Sequence, residues 1–246
     1  MTRTRTLLAA LLATTTVPAV AGELTLTTGL DYSSGEYGSD KTSETWYVPI
    51  VGKYETGPMT LKLTVPYVKI TNAVVGPDGE PVADSGCRDT ESGMGDITAS
   101  AGYALMDGSQ GGLFVEAVGK VKMPTAESDC LGNNDTDYSV QFDVAKIFGA
   151  TTGFATLGWK NKGDSDLDDP VFASIGFAYK LSPTTSVGLA YDWRDRLSSD
   201  NDEISEATLF SSHKLSEQWR LQVYAMKGFS DSSPDWGGGA MVSYKY

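Results

Sequence analysis

The sequence predicts an all-β protein, a transmembrane antiparallel up-and-down β-barrel of about twelve strands. Three observations predict this fold class. Segments of alternating apolar and polar residues recur along the chain, short and long connections alternate between them, and the last segment ends on an aromatic residue, Tyr246. A two-residue period is typical of a strand with one apolar face, and the three features together are typical of outer-membrane barrels.

The predicted strands are about nine to twelve residues long, which suits tilted strands that cross a bilayer. Their even number returns both chain ends to the same side of the membrane. The segments run near 23–33, 45–56, 59–71, 95–106, 112–123, 136–147, 152–162, 170–181, 185–195, 203–214, 218–229 and 237–246.

The connections between these segments alternate between tight turns and long acidic loops. The turns are rich in turn-forming residues, and short periplasmic turns with longer outside loops are the pattern of a transmembrane barrel. The turns are 55–58, 107–110, 149–152, 182–185 and 215–218. The long loops are 34–43, 72–94, 124–135, 161–169, 196–202 and 230–236. The sequence therefore predicts that both termini lie on the periplasmic side.

The last seven residues, 240–246, resemble the closing strand that the outer-membrane assembly machinery reads. They alternate small or apolar residues with polar ones and stop on Tyr246. We expect this strand to pair with the segment near Leu24 to Tyr32, because a closed barrel leaves no sheet edge exposed to lipid.

The N-terminus has the features of a secretory signal peptide. Arg3 and Arg5 precede an apolar stretch from Leu7 to Val20, and Ala19-Val20-Ala21 is a small-x-small cleavage site. A membrane anchor is the weaker interpretation, because the stretch is too short to span a bilayer. We predict a signal peptide over residues 1–21 and one barrel domain over 22–246.

The net charge bears on the partners of the protein, and the cysteine content bears on its covalent cross-links. The net charge of −13 disfavours nucleic acid. Export places Cys87 and Cys130 where disulfides persist, and both fall in neighbouring outer loops, so a Cys87–Cys130 bridge is predicted. Two free thiols or half of a metal site are the alternatives, and the lack of a nearby histidine disfavours metal.

The two faces of the predicted strands differ in polarity. Twelve strands enclose more volume than the apolar side chains could fill, so the apolar face is predicted to meet lipid and the charged face to line the lumen. Lys/Arg–Asp/Glu pairs would make such a lumen physically tolerable. The lumen-lining candidates are Lys53, Lys62, Asp96, Glu116, Lys120, Lys122, Asp143, Asp192, Arg194, Glu206 and Arg220. They form either a structural network that plugs the barrel or a constriction that selects solutes.

The remaining chemistry in the chain is sparse. Asp164-x-Asp166-x-Asp168 only partly matches a calcium loop, since the required Gly and terminal Glu are missing. We therefore interpret the acidic loops as a solvated rim, with weak divalent-cation bridges to lipopolysaccharide as the alternative. His213 is the sole histidine and shares a face with Ser211, but no orienting third group follows. The sequence predicts no enzyme, cofactor or resident metal.

Five short motifs resemble the outer-membrane transporter family labelled "MetA-pathway of phenol degradation". They occur in the order Trp46-Tyr47-Val48-Pro49, Leu63-Thr64-Val65-Pro66-Tyr67, Gly93-Met94-Gly95-Asp96-Ile97, Gly119 to Thr125, and Leu131-Gly132 with Asp137. The resemblance implies a barrel that passes small hydrophobic or aromatic compounds. Carried over by motif, the positions of interest are Asp96, Lys122, Pro124, Thr125 and Asp137.

The sequence therefore predicts a monomeric barrel in the outer membrane of a Gram-negative bacterium. It would contact the lipid bilayer and lipopolysaccharide and move a small solute passively through a narrow charged lumen. A plugged structural or adhesive barrel is the first alternative, and an outer-membrane hydrolase is the second.

Overall fold

The protein is described by a computed structural model over residues 22–76, 87–109 and 111–246. The predicted signal peptide, the middle of the 72–94 loop and Gln110 lie outside these residues. Within the described part, no helix has the length and hydrophobicity needed to cross a membrane.

Thirteen strands make up the described chain. They are β1 (Glu23–Gly35), β2 (Ser43–Thr56), β3 (Met59–Thr71), β4 (Thr90–Met94), β5 (Ile97–Asp107), β6 (Leu113–Met123), β7 (Asp137–Phe148), β8 (Thr151–Asn161), β9 (Val171–Lys180), β10 (Thr185–Arg194), β11 (Ile204–Lys214), β12 (Trp219–Gly228) and β13 (Trp236–Lys245). The predicted all-β fold is confirmed.

The sheet closes on itself as an antiparallel barrel. β1 pairs with β13 in a register that sets Leu26 opposite Tyr244, and the Tyr246 amide donates a hydrogen bond of 2.9 Å to the Leu24 carbonyl. Every other strand pairs with its chain neighbours, and β4 and β5 share one position beside β3. Twelve strand positions and the closing pair therefore match the sequence prediction.

The fourth position contains a break that the sequence did not predict. β4 pairs with the outer half of β3, from Tyr67 to Thr71, although the sequence assigned residues 72–94 to one loop. β5 pairs with the inner half of β3 in a register shifted by one residue. Three residues, Gly95 to Ile97, thus oppose two on β3, which is a β-bulge. The bulge places Asp96 at the outer end of the barrel wall.

Apolar side chains face outward, as predicted from the volume that twelve strands enclose. Leu209 and Ile175 are 61% and 64% exposed in the isolated chain, which in a membrane is contact with lipid. Tyr32, Trp46 and Trp236 stack at the outer end, with ring centroids 4.7 and 5.1 Å apart. Trp219, Tyr244 and Tyr246 stack at the periplasmic end at 4.8 and 4.7 Å. These two aromatic groups occupy the levels of the membrane interfaces.

The small buried core lies at the outer end of the barrel and not in its middle. Val68 and Ile70 of β3 pack against Leu131 from the 124–136 loop, and all three are at most 1% exposed. The loop therefore folds inward over the lumen beside β3. This packing narrows the barrel mouth on one side.

Candidate functional site: the lumen wall

A cavity of about 440 Å³ occupies the outer half of the lumen, and we call it the outer cavity. Its charged lining comprises Lys120, Lys122, Lys160, Arg194, Asp137 and Asp192. Its other lining includes Ser139, Gln141, Thr156 and the aromatic ring of Phe172. The cavity thus combines four cations with two carboxylates and an apolar surface.

Lysines recur along one line across neighbouring strands, and we call this line the lysine row. Cross-strand pairing runs Lys53–Lys62–Ser100–Lys120–Ser139–Lys160. Lys53 and Lys62 lie near the periplasmic end of their strands, whereas Lys120 and Lys160 lie near the outer end. Because barrel strands are tilted, such a line climbs the wall as it passes around it. The row therefore places lysines from near one mouth of the lumen to near the other.

Carboxylates form a second line four residues further toward the periplasm along β6. Its pairing runs Glu116–Asp143–Thr156–Ser174–Asp192–Glu206. The Asp143 carboxylate accepts hydrogen bonds from the Gln141 amide (2.8 and 2.9 Å) and the Thr156 hydroxyl (2.6 Å). The lysines and the carboxylates therefore follow two separate lines on the lumen wall.

Three phenylalanines also line the lumen, and each faces a glycine on the neighbouring strand. Phe172, Phe154 and Phe210 pair in register with Gly158, Gly176 and Gly188. A Cβ atom at any of these glycines would overlap the facing ring. The missing side chains thus let the rings lie flat against the wall.

The floor between two of these rings is built from small residues. Gly176, Ala178, Gly188 and Ala190 occupy β9 and β10, and the rings of Phe154 and Phe210 approach to 6.3 Å above them. The sequence reading assigned charged residues to the lumen face and missed these phenylalanines. A signal was nevertheless present in the sequence, because each phenylalanine shares the phase of small or hydroxyl residues on its strand, such as Thr156 on β8, Ser174 on β9 and Thr208 on β11.

A buried ion cluster holds the outer ends of β5 to β8 together. Lys122 Nζ and Lys162 Nζ lie 2.9 and 2.6 Å from Asp137 Oδ2, and Lys122 Nζ lies 3.9 Å from Asp96 Oδ2. The Lys162 side chain is 0% exposed. Lys122 and Asp137 are direct cross-strand partners, and Lys162 directly follows β8 on the other side of Asp137. Lys162 was not identified as a site residue from the sequence, because it lies at the predicted boundary between a strand and a loop.

Asp96 connects this ion cluster to the inward-folded loop. Its carboxylate accepts three backbone hydrogen bonds of 2.9 Å, from the amides of Thr125, Ala126 and Asn133. The Thr125 hydroxyl in turn accepts a 2.8 Å hydrogen bond from the Ile97 amide, while Pro124 is exposed. The family-motif residues Asp96, Lys122, Thr125 and Asp137 therefore meet at one corner.

The predicted disulfide is confirmed and ties the same corner. Cys87, just before β4, is bonded to Cys130 in the 124–136 loop. The disulfide thus joins the segment before β4 to the 124–136 loop, and Asp96 holds that loop to the wall.

The other lumen candidates lie near the two mouths. Arg220, with Lys180 and Lys214, lines a cavity of about 320 Å³ at the periplasmic end. Glu206 and Arg194 line a cavity of about 340 Å³ at the outer mouth with Tyr37 and Val75. Burial raises the pKa of Tyr37 to about 12, with Glu206 and Asp235 nearby, so this phenol stays neutral. Lys53 forms an ion pair of 2.7 Å with Glu55.

Two other sequence features have plain structural accounts. Among the described residues, no group of three or more His, Cys, Asp or Glu side chains could hold a metal ion. His213 Nδ1 lies 2.7 Å from the Thr185 hydroxyl at the periplasmic end of β11, on the outward phase of Leu209.

Comparison with known proteins agrees with this architecture. The family model described as "Putative MetA-pathway of phenol degradation" matches residues 16–246. The chain is similar to the crystal structure of an outer membrane channel from Pseudomonas putida F1 (17% identity, TM-score 0.65, covering 92% of this chain and 94% of that chain).

Two porins share the fold at lower identity. The NanC porin gives a TM-score of 0.59 and the KdgM porin 0.57, each at 9% identity and covering 89% of this chain and 98% of that chain. No curated protein matches the sequence. The closed barrel and its apolar outer face make this a protein of the bacterial outer membrane.

Proposed function

Because the chain belongs to the family described as "Putative MetA-pathway of phenol degradation", we propose that it is a channel for the passive movement of a small solute with an aromatic body. The outer cavity is the observation that carries this proposal. It places the Phe172 ring beside lysines, an arginine and hydroxyl groups in one space. The Phe172 ring offers an apolar face to an aromatic solute, while the charged and hydroxyl groups can hydrogen-bond to water and to the polar substituents of the solute.

Passage would need no energy source and no cofactor within the barrel. The solute enters at the outer mouth past Tyr37, crosses the outer cavity, and continues along Phe154 and Phe210 toward the periplasmic end. Each aromatic contact is weak, which suits a channel, since a solute must be able to leave each site as easily as it enters.

Beyond the solute, the barrel would contact lipid, lipopolysaccharide and the assembly machinery. The protein would act as a monomer, with the strand that ends at Tyr246 presented to the assembly machinery and the outer aromatic group placed at the lipopolysaccharide boundary. The lumen candidates of the lysine row and of the acidic line would set solute preference.

Swelling of proteoliposomes in two matched solutes tests the channel. Phenyl β-glucoside and methyl β-glucoside differ in the aromatic ring, and their polar sugar restricts direct passage through lipid. We expect the phenyl compound to enter faster than its larger size predicts, and Phe172→Leu to remove this advantage while methyl glucoside entry stays the same.

Two outcomes would contradict the proposal. Absence of swelling in both solutes, together with absence of single-channel current in planar bilayers, would favour a plugged structural barrel. Swelling that depends only on solute size would leave a channel without aromatic preference.

A further inference from the structure

From the placement of charge around Phe172, we infer that the channel selects aromatic anions, namely small rings that bear a single carboxylate. This inference rests on the proposed function and names the solute class. The site it assigns consists of Lys120, Ser139 and Lys160 on one line, with Phe172 and Arg194 on the adjacent line.

The first line suits a carboxylate. Lys120 and Lys160 flank Ser139 on the two neighbouring strands, so their backbones lie about 10 Å apart. A lysine side chain is long and flexible, and both ammonium groups can therefore reach one anion held between them. The Ser139 hydroxyl can supply a further donor, and all three residues line the outer cavity.

The second line suits the ring. Phe172 lies flat over Gly158, which is two residues from Lys160 on β8, so the aromatic face begins one step below the lysines. Arg194 is the direct partner of Phe172 on β10, and a guanidinium stacks readily on aromatic rings. A ring bound between Phe172 and Arg194 would thus place its carboxylate toward Lys120 and Lys160.

The two carboxylates of the outer cavity leave this preference in place. Asp137 is held by Lys122 and Lys162 in the buried cluster. Asp192 belongs to the acidic line and lies two positions below Arg194 on β10, away from the lysine row. The lining of the outer cavity holds four cations, Lys120, Lys122, Lys160 and Arg194, against these two carboxylates, so it has an excess of positive charge although the whole chain is acidic.

Reversal potentials in planar bilayers test this assignment. They depend on the permeabilities of ions alone, because neutral acid that crosses the lipid carries no current. Potassium benzoate and potassium acetate are each set against potassium chloride at pH 8, using the full-length mature protein. We expect benzoate to be more permeant than acetate, although it is larger.

Variants separate the charge from the ring. Lys120→Gln and Lys160→Gln should each lower the permeability of both carboxylates relative to potassium by about fivefold. Phe172→Leu should lower the permeability of benzoate relative to potassium by about threefold and leave that of acetate unchanged. Lys227→Gln is the matched control, because Lys227 is an exposed lysine on the outward phase of β12, and it should change neither ratio.

The outcomes distinguish this inference from the proposed function. Current in every salt, with benzoate no more permeant than acetate or with ratios unmoved by the lysine variants, would overturn the aromatic-anion assignment and leave a channel. Absence of current in every salt would overturn both.

Discussion

The outer and periplasmic ends of this barrel are held in different ways. At the outer end, a corner built from β3 to β8 combines the bulge at Gly95 to Ile97, the cluster around Asp137, the Val68–Ile70–Leu131 core and the disulfide. At the periplasmic end, strands are joined by tight turns such as Gly57-Pro58, where Gly57 has a positive φ of 54°. Long loops lose more entropy on ordering, so buried contacts are needed where the loops are long.

This contrast separates anchoring from passage. The family-motif residues lie mostly in the outer corner, where they position loops, whereas the aromatic side of the lumen lies across β8 to β11. Lys122 and Asp137 belong to both regions, because they line the outer cavity and form the ion cluster. Three changes test how far stability is concentrated at the outer corner.

The largest effect is expected from Asp137→Asn. The change leaves the buried ammonium groups of Lys122 and Lys162 without their shared carboxylate, and breaking a buried pair by removing one partner costs about 3–5 kcal/mol of unfolding free energy. Urea unfolding in detergent micelles, followed by tryptophan fluorescence, measures it. Asp166→Asn, an exposed outer-loop carboxylate, is the control and should leave the midpoint unchanged. Equal midpoints for Asp137→Asn and wild type would show that the cluster does not stabilise the barrel.

Removal of the disulfide should have an intermediate effect. Cys87 and Cys130 are 43 residues apart, and a covalent closure of that length is worth roughly 2–4 kcal/mol. Unfolding of the Cys87→Ser/Cys130→Ser variant should match that of wild type after reduction. Because the bond anchors both loops at the mouth, we also expect noisier single-channel current. Unchanged noise with lowered stability would mean that these loops do not border the conducting path.

The smallest effect is expected at the periplasmic turn after β11. Lys214 donates a 2.7 Å hydrogen bond to Glu217, which lowers the pKa of this exposed carboxyl. A lowered pKa stabilises the folded state above the unfolded pKa of about 4.3, and the contribution is lost as the pH falls through the folded value. Solvent screens an exposed pair, so Glu217→Gln should leave the unfolding midpoint at pH 7 unchanged within error. A loss as large as that of Asp137→Asn would remove the contrast between the two ends.

Much of the architecture could be predicted from the sequence alone. The two-residue period identified the strands and separated their two faces, and the number of strands indicated which face meets lipid. Alternating connection lengths indicated the orientation, and the terminal aromatic predicted closure between the first and last strands. These features are local or repetitive, so each can be read without knowing which residues become neighbours. The same holds for Cys87 and Cys130, whose pairing followed from loops expected on one side.

The tertiary structure alone decided how the residues align across strands. A period of two assigns a side chain to a face but leaves its height on the wall open, because height depends on the hydrogen-bond register of every intervening pair. Register aligned Lys53, Lys62, Lys120 and Lys160 into one row, set Phe172 over Gly158, and brought Lys162 against Asp137. The bulge before β5 shifted the pairing register with β3 by one residue, and no local sequence pattern predicts this shift. The sequence thus determined the barrel and its two faces, while cross-strand register decided what the lumen presents to a solute.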